Sequence, residues 1–94
     1  MKFPTISVPF SMGRTVATPH VLDTVPQKEI FTALRRHQSC DWGDVGPQDK
    51  WSNDRAVKGG ERLFSVYHSK SGIKFWIITE WDRSATTVLL PEDY

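Results

Sequence analysis

Cysteine is almost missing from this chain. Cys40 is the only one, so no internal disulfide can form and no cysteine-based zinc cluster can be built. A lone thiol of this kind is more often a packed small hydrophobe than a nucleophile. Long apolar runs are missing too. The N-terminal MKFPTISVPFSMG is interrupted by two prolines and several polar residues, so it lacks the continuous core of a signal peptide. No run approaches the ~20 apolar residues of a membrane span. Charge of one sign is also missing: 12 Lys and Arg against 11 Asp and Glu leave a net charge of +1. Nucleic acid is not indicated by so weak a field; binding it would need a local patch. These absences describe a soluble, cytoplasmic protein with no membrane partner.

Chemistry-bearing motifs are equally scarce. His20, His37 and His68 form no i,i+4 pair and have no neighbouring Cys, so no metal site is indicated. No Gly-rich phosphate loop follows a strand, no Ser-His-Asp set has a local signature, and no cofactor is expected. DWGDVGPQD together with Asp54 offers four carboxylates. They lack the alternating ligands and closing Glu of a calcium loop and read as turn and capping groups. His37 reads as a cation or donor at a helix C-terminus, and Asn53 as a buried, hydrogen-bonded side chain.

What is present is one domain's worth of ordinary globular sequence, 94 residues with 38% hydrophobic and 24% charged. Residues 1–13 read as an extended arm and 14–94 as a single α+β domain. RTVAT (14–18) is a short strand, and Thr18-Pro19 opens a brief helix, Thr as cap and Pro in the first turn. A second helix runs from Pro26 to about Gln38 with Ile30, Phe31 and Leu34 on one face. A third runs from Gly46-Pro47 to Lys58 and is stopped by Gly59-Gly60. RLFSVYHS, IKFWIITEW and TTVLLP then follow with strand periodicity. The expected architecture is an antiparallel sheet, a short N-terminal strand plus a C-terminal three-stranded meander, packed against two to three helices.

With SKSG as a four-residue loop and DRS as a three-residue one, residues directly opposite share a face. One face would carry Phe64, Val66, Ile73, Phe75, Ile77 and Leu89, with Thr79 opposite Thr87; the other Leu63, Tyr67, Trp76, Ile78, Val88 and Leu90, with Glu80 opposite Thr86. Both faces are apolar, whereas a sheet with one wet face should alternate. The second face therefore calls for a cover: the arm, through Phe3, Ile6, Val8 and Phe10, or a second copy in a homodimer, or a partner protein. At the turn that follows, Asp82 and Ser84 read as turn residues, with Arg83 projecting into solvent or pairing with Glu80.

Read in order, GRTVATPHVL, RRHQSCDWGDV, ND, GGERLFSVY and KFWIITEWDRSATTVLLPEDY resemble a family of short bacterial proteins carried on plasmids and other mobile elements, some of them labelled as restriction-modification subunits. The resemblance covers nearly all of 13–94 and departs at Cys40, where the family pattern has Gly, and at Trp81, where it has a small residue. It implies an origin and a fold pattern, and no reaction. The expectation is a non-enzymatic protein-interaction module of mobile-element origin, an inhibitor or regulator of host defence machinery. Trp42, Asp44, Trp76, Glu80 and Arg83 are its candidate partner-binding residues, the tryptophans as anchors. Two alternatives stand beside it: a RelE-like ribonuclease toxin, which would gather Arg35, Arg36, Arg62, His68 and Arg83 on one face, and a small structural subunit of a larger complex.

Overall fold

The computed structural model describes residues 8–94. Thr18 takes an extended backbone and its hydroxyl accepts the Val21 N–H, so the helix expected after it begins at Pro19. The elements in chain order are β1 (Arg14–Ala17), α1 (Pro19–Thr24), α2 (Gln27–Gln38), α3 (Pro47–Gly59), β2 (Leu63–His68), β3 (Lys74–Thr79) and β4 (Ala85–Leu89), closed by a single 3₁₀ turn at Pro91–Asp93. Gly60 ends α3 in the left-handed conformation, as the Gly59-Gly60 pair leads one to expect.

The α+β fold is as read from the sequence, with one correction to the sheet. Its strand order is β1-β4-β3-β2, and β1 runs parallel to β4. The three C-terminal strands form the expected antiparallel meander, so the sheet is mixed. The strand–helix–strand connection from β1 has room to return in either sense, and local periodicity carries no information about which.

Both hairpins are shifted by one residue from the expected register. His68 pairs with Lys74, leaving five residues in the first loop, and Glu80 N–H donates to Ala85 O at 2.9 Å, leaving four in the second. Thr79 therefore opposes Thr86, and Thr87 opposes Ile78. A one-residue slip exchanges faces. Leu63, Ser65, Tyr67, Phe75, Ile77, Thr79, Thr86 and Val88 lie on one face, all buried, beneath α1 and α2. There Val21, Val25, Ile30, Ala33 and Leu34 complete the main core with Tyr67, Phe75, Ile77, Val88 and Leu90. A second, smaller cluster of Phe10, Trp42, Ala56 and Leu63 seats α3 at the β2 end of the sheet.

The opposite face carries Phe64, Val66, Trp76, Ile78, Thr87 and Leu89. Among the described residues of the arm, the buried Phe10 lies elsewhere. Phe10 packs edge-on to His37 and stacks on Trp42, on the helical side. Phe3 and Ile6 lie outside the described residues, and 8–13 have no regular secondary structure. Among the described residues, the chain's C-terminus reaches this face: Tyr94 meets the Trp76 ring edge-on at 6.0 Å, with the Arg62 guanidinium 5.1 Å from its centroid.

Candidate functional site

The two long edges of the sheet are finished differently. At β2 the backbone groups of Phe64 and Val66 point outward, and each is satisfied. Asn53, buried on α3, accepts the Phe64 N–H at 3.0 Å and donates to Phe64 O at 2.7 Å. Val66 N–H donates to Trp42 O, and Asp44 N–H donates to Val66 O at 2.8 Å. DWGD is thus an edge cover that closes the sheet to further pairing. Gly43 makes it fit: its φ is +73°, and a Cβ there would lie 2.0 Å from Val66 O.

Four carboxylates in and after this loop take the turn and capping roles expected of them or border a cavity. Asp41 accepts from the Arg36 guanidinium and from Gly43 N–H, and Arg36 holds its carboxyl below the usual range. Asp54 accepts from the Trp42 indole at 2.9 Å and from Lys50, both of which lower its pKa. Asp44 lies 2.7 Å from His68 Nδ1 in an exposed pair. Asp49, in the first turn of α3, borders the aromatic face described below. Among the described residues no three His, Cys, Asp or Glu side chains come together in a way that could hold a metal ion.

Ser65 Oγ and His37 Nδ1 are 2.6 Å apart, a distance that would suit a nucleophile and its base. Neither is open to a substrate: both are fully buried, with Phe10 and Trp42 against the imidazole. The hydrogens of this network can be assigned. Thr86 Oγ1 donates to Met12 O, which can only accept, so Thr79 donates to Thr86 and in turn accepts from His37 Nε2–H. His37 Nδ1 is then left to accept from Ser65. Burial, and secondly the charge of Arg83, push the imidazole down to about 4, so His37 is a neutral donor and acceptor and the cation reading is corrected. The partners of this network are 28 and 42 residues away in the chain, beyond the reach of any local pattern.

Arg83 departs from its sequence reading as well. It neither projects freely into solvent nor pairs with the Glu80 carboxylate. Its guanidinium donates to the carbonyl oxygens of Ala56 (2.7 Å), Glu61 (2.5 Å) and Glu80 (3.0 Å), holding the C-terminal end of α3 against the β3–β4 turn. Its own φ is +60°. Asp82 does form the expected turn, accepting from Ser84 N–H and hydroxyl.

The five candidate residues are therefore not one cluster. Trp42 is 3% exposed and belongs to the core, and Arg83 is a helix clamp. Asp44 sits at the β2 edge with His68. Trp76 and the half-buried Glu80 follow the side of Ile78, on the open face of the sheet. There Phe64, Trp76, Ile78, Arg62 and Tyr94 surround a cavity of about 240 Å³, bordered by Asp49. Tyr94, 72% exposed, is a member that strand reading missed, because it is brought in by the 3₁₀ turn. That turn is tied down by Asp93, which accepts from the Thr18 hydroxyl, lies 3.0 Å from His20 Nδ1 and caps Leu90 N–H. Trp51 and Trp81 are exposed elsewhere, Trp51 beneath the Arg55 guanidinium.

Comparison with family models, with curated proteins and with solved structures returns no match for this chain.

Proposed function

We propose that this protein is a non-enzymatic interaction module that binds another protein through the open face of its sheet. The observation that carries the reading is the row of half-buried Phe64, Val66 and Trp76 beside Tyr94, which leaves aromatic rings and one arginine, Arg62, at a surface with an apolar floor of Ile78 and Leu89. Tyr, Trp and Arg are the residues in which binding energy concentrates when a partner desolvates them. The resemblance to plasmid-borne proteins makes a protein of the bacterial host the class of partner and inhibition or regulation of its defence machinery the role, acted out in the cytoplasm.

The groups a ribonuclease would gather are spread over the molecule. Arg36 is paired with Asp41, Arg62 lies over Tyr94, His68 pairs with Asp44 and Arg83 clamps α3. That dispersal supports a binding role over RNA cleavage. Affinity capture from host lysate tests the reading: the wild-type chain should retain one stoichiometric protein that Trp76→Ala and Tyr94→Ala both release. Capture of nothing across a range of salt, or growth arrest on expression, would overturn it.

A further inference from the structure

The β1 edge is the opposite of the sealed β2 edge. Arg14 N–H donates to Ser84 O and Thr18 N–H to Val88 O, both at 3.0 Å. In a strand the backbone groups of alternate residues point to opposite sides. Thr15 and Ala17 therefore aim their N–H and C=O away from β4, and among the described residues neither has a backbone partner on that side. Beside this edge, between β1 and α2, runs a groove of about 840 Å³. Its floor and wall are apolar, formed by Met12, Leu34 and Phe31, the last 56% exposed. Its rim is basic, with Lys28 and Arg35 on α2 and no carboxylate among the lining residues.

Neither cation makes an ion pair among the described residues. The seven residues outside the description, MKFPTIS, contain no acidic side chain, so the chain's own N-terminus cannot answer this charge. We infer that the groove binds an extended, acidic segment of another protein, which adds as a strand along the open edge of β1 and seats an apolar side chain against Phe31. Main-chain hydrogen bonds to Thr15 and Ala17 would give affinity, and the pocket and basic rim would give selectivity, the division of labour of strand addition. This surface is separate from the aromatic face proposed above, and either could fail with the other intact.

The test is a selection of random 12-residue peptides on the full chain, followed by measurement of the recovered peptides. They should be rich in Asp and Glu around an apolar position and should slow amide exchange at Thr15 and Ala17. Lys28→Glu with Arg35→Glu should weaken binding at least 10-fold, and Lys58→Glu with Lys74→Glu, an equal charge change elsewhere, should not. Phe31→Ser, at an exposed position where folding is not at stake, should also weaken it. Recovery of no peptide, of peptides without acidic bias, or of peptides that leave Thr15 and Ala17 unprotected would overturn the inference. So would occupation of the groove by the chain's own N-terminus or by a second copy, seen as protection of Thr15 and Ala17 without peptide. Failure of Trp76→Ala to release a captured partner bears on the aromatic face alone.

Discussion

His37 Nε2 lies 2.8 Å from Thr79 Oγ1 and donates to it, and this one bond orients a proton chain from Ser65 on β2 to Met12 in the segment before β1. It joins α2, three strands and the arm through groups that are almost all fully buried. Thr79 and Thr86 each donate and accept, and Ser65 gives its hydrogen to Nδ1, so protonating His37 would require Ser65 to turn that hydrogen away from the ring. Desolvation, and secondly the charge of Arg83, hold the imidazole neutral in this setting.

A pH dependence of stability follows. The folded state holds His37 at about 4, against an ordinary value of 6.5. The unfolded chain binds the extra proton first, so the contribution is whole above pH 6.5 and is lost as pH falls towards 4. The full effect is on the order of 3 kcal/mol. Urea unfolding at intervals between pH 7.5 and 4.5, with the His37 ring resonances followed by NMR, should show stability falling through that window with the ring still neutral in the folded protein.

Thr79→Val should cost about 1–3 kcal/mol, since it leaves the His37 Nε2–H without an acceptor in the core. Thr87→Val, on the other face opposite Ile78, should change stability by no more than about 0.5 kcal/mol. Denaturant midpoints of the two variants measure this directly. Equal costs would mean that Thr79 and Thr87 share a face, as in the register of β3 and β4 first expected from the sequence.

That register was the part of the fold the residues could not show. The helix starts at Thr18-Pro19 and Gly46-Pro47, the stop at Gly60 and the strand spans are written in local chemistry, and they stand where local chemistry puts them. Register is normally set by which face is apolar, and here both faces are. The buried face, moreover, holds Ser65, Thr79 and Thr86, whose polarity is satisfied by one another and by a distant histidine. A pattern argument reads such residues as solvent-facing. Of the candidate site, Trp76 and Glu80 were legible as neighbours of Ile78 because strand alternation is local; Tyr94 was not, because a turn anchored by Asp93 to Thr18 delivers it.

Arg83→Gln should act at two places. It loses part of the clamp on the Ala56 and Glu61 carbonyls, which should cost about 1–2 kcal/mol. It also removes the positive charge that disfavours the His37 imidazolium, so the His37 pKa should rise. An NMR titration reads the second effect independently of the first. A clamp variant that lowers stability with no upward shift at His37 would break the electrostatic link between the two residues.

Gly43 and Gly60 share a φ of +73°, so replacing either with Ala meets the same backbone strain. At Gly60 the new methyl enters open space, and the cost should be about 1 kcal/mol. At Gly43 it would lie 2.0 Å from the Val66 carbonyl oxygen and 2.8 Å from the Tyr67 ring. Backbone cannot yield as a side-chain tip does, so the DWGD loop must lift and expose the Val66 N–H and C=O that it covers. Gly43→Ala should therefore cost roughly 2–3 kcal/mol more than Gly60→Ala. Amide exchange at Val66 should speed up in the first variant only. Equal costs for the two substitutions would show that the loop is not seated on β2, and a second sheet edge would then be open to pairing.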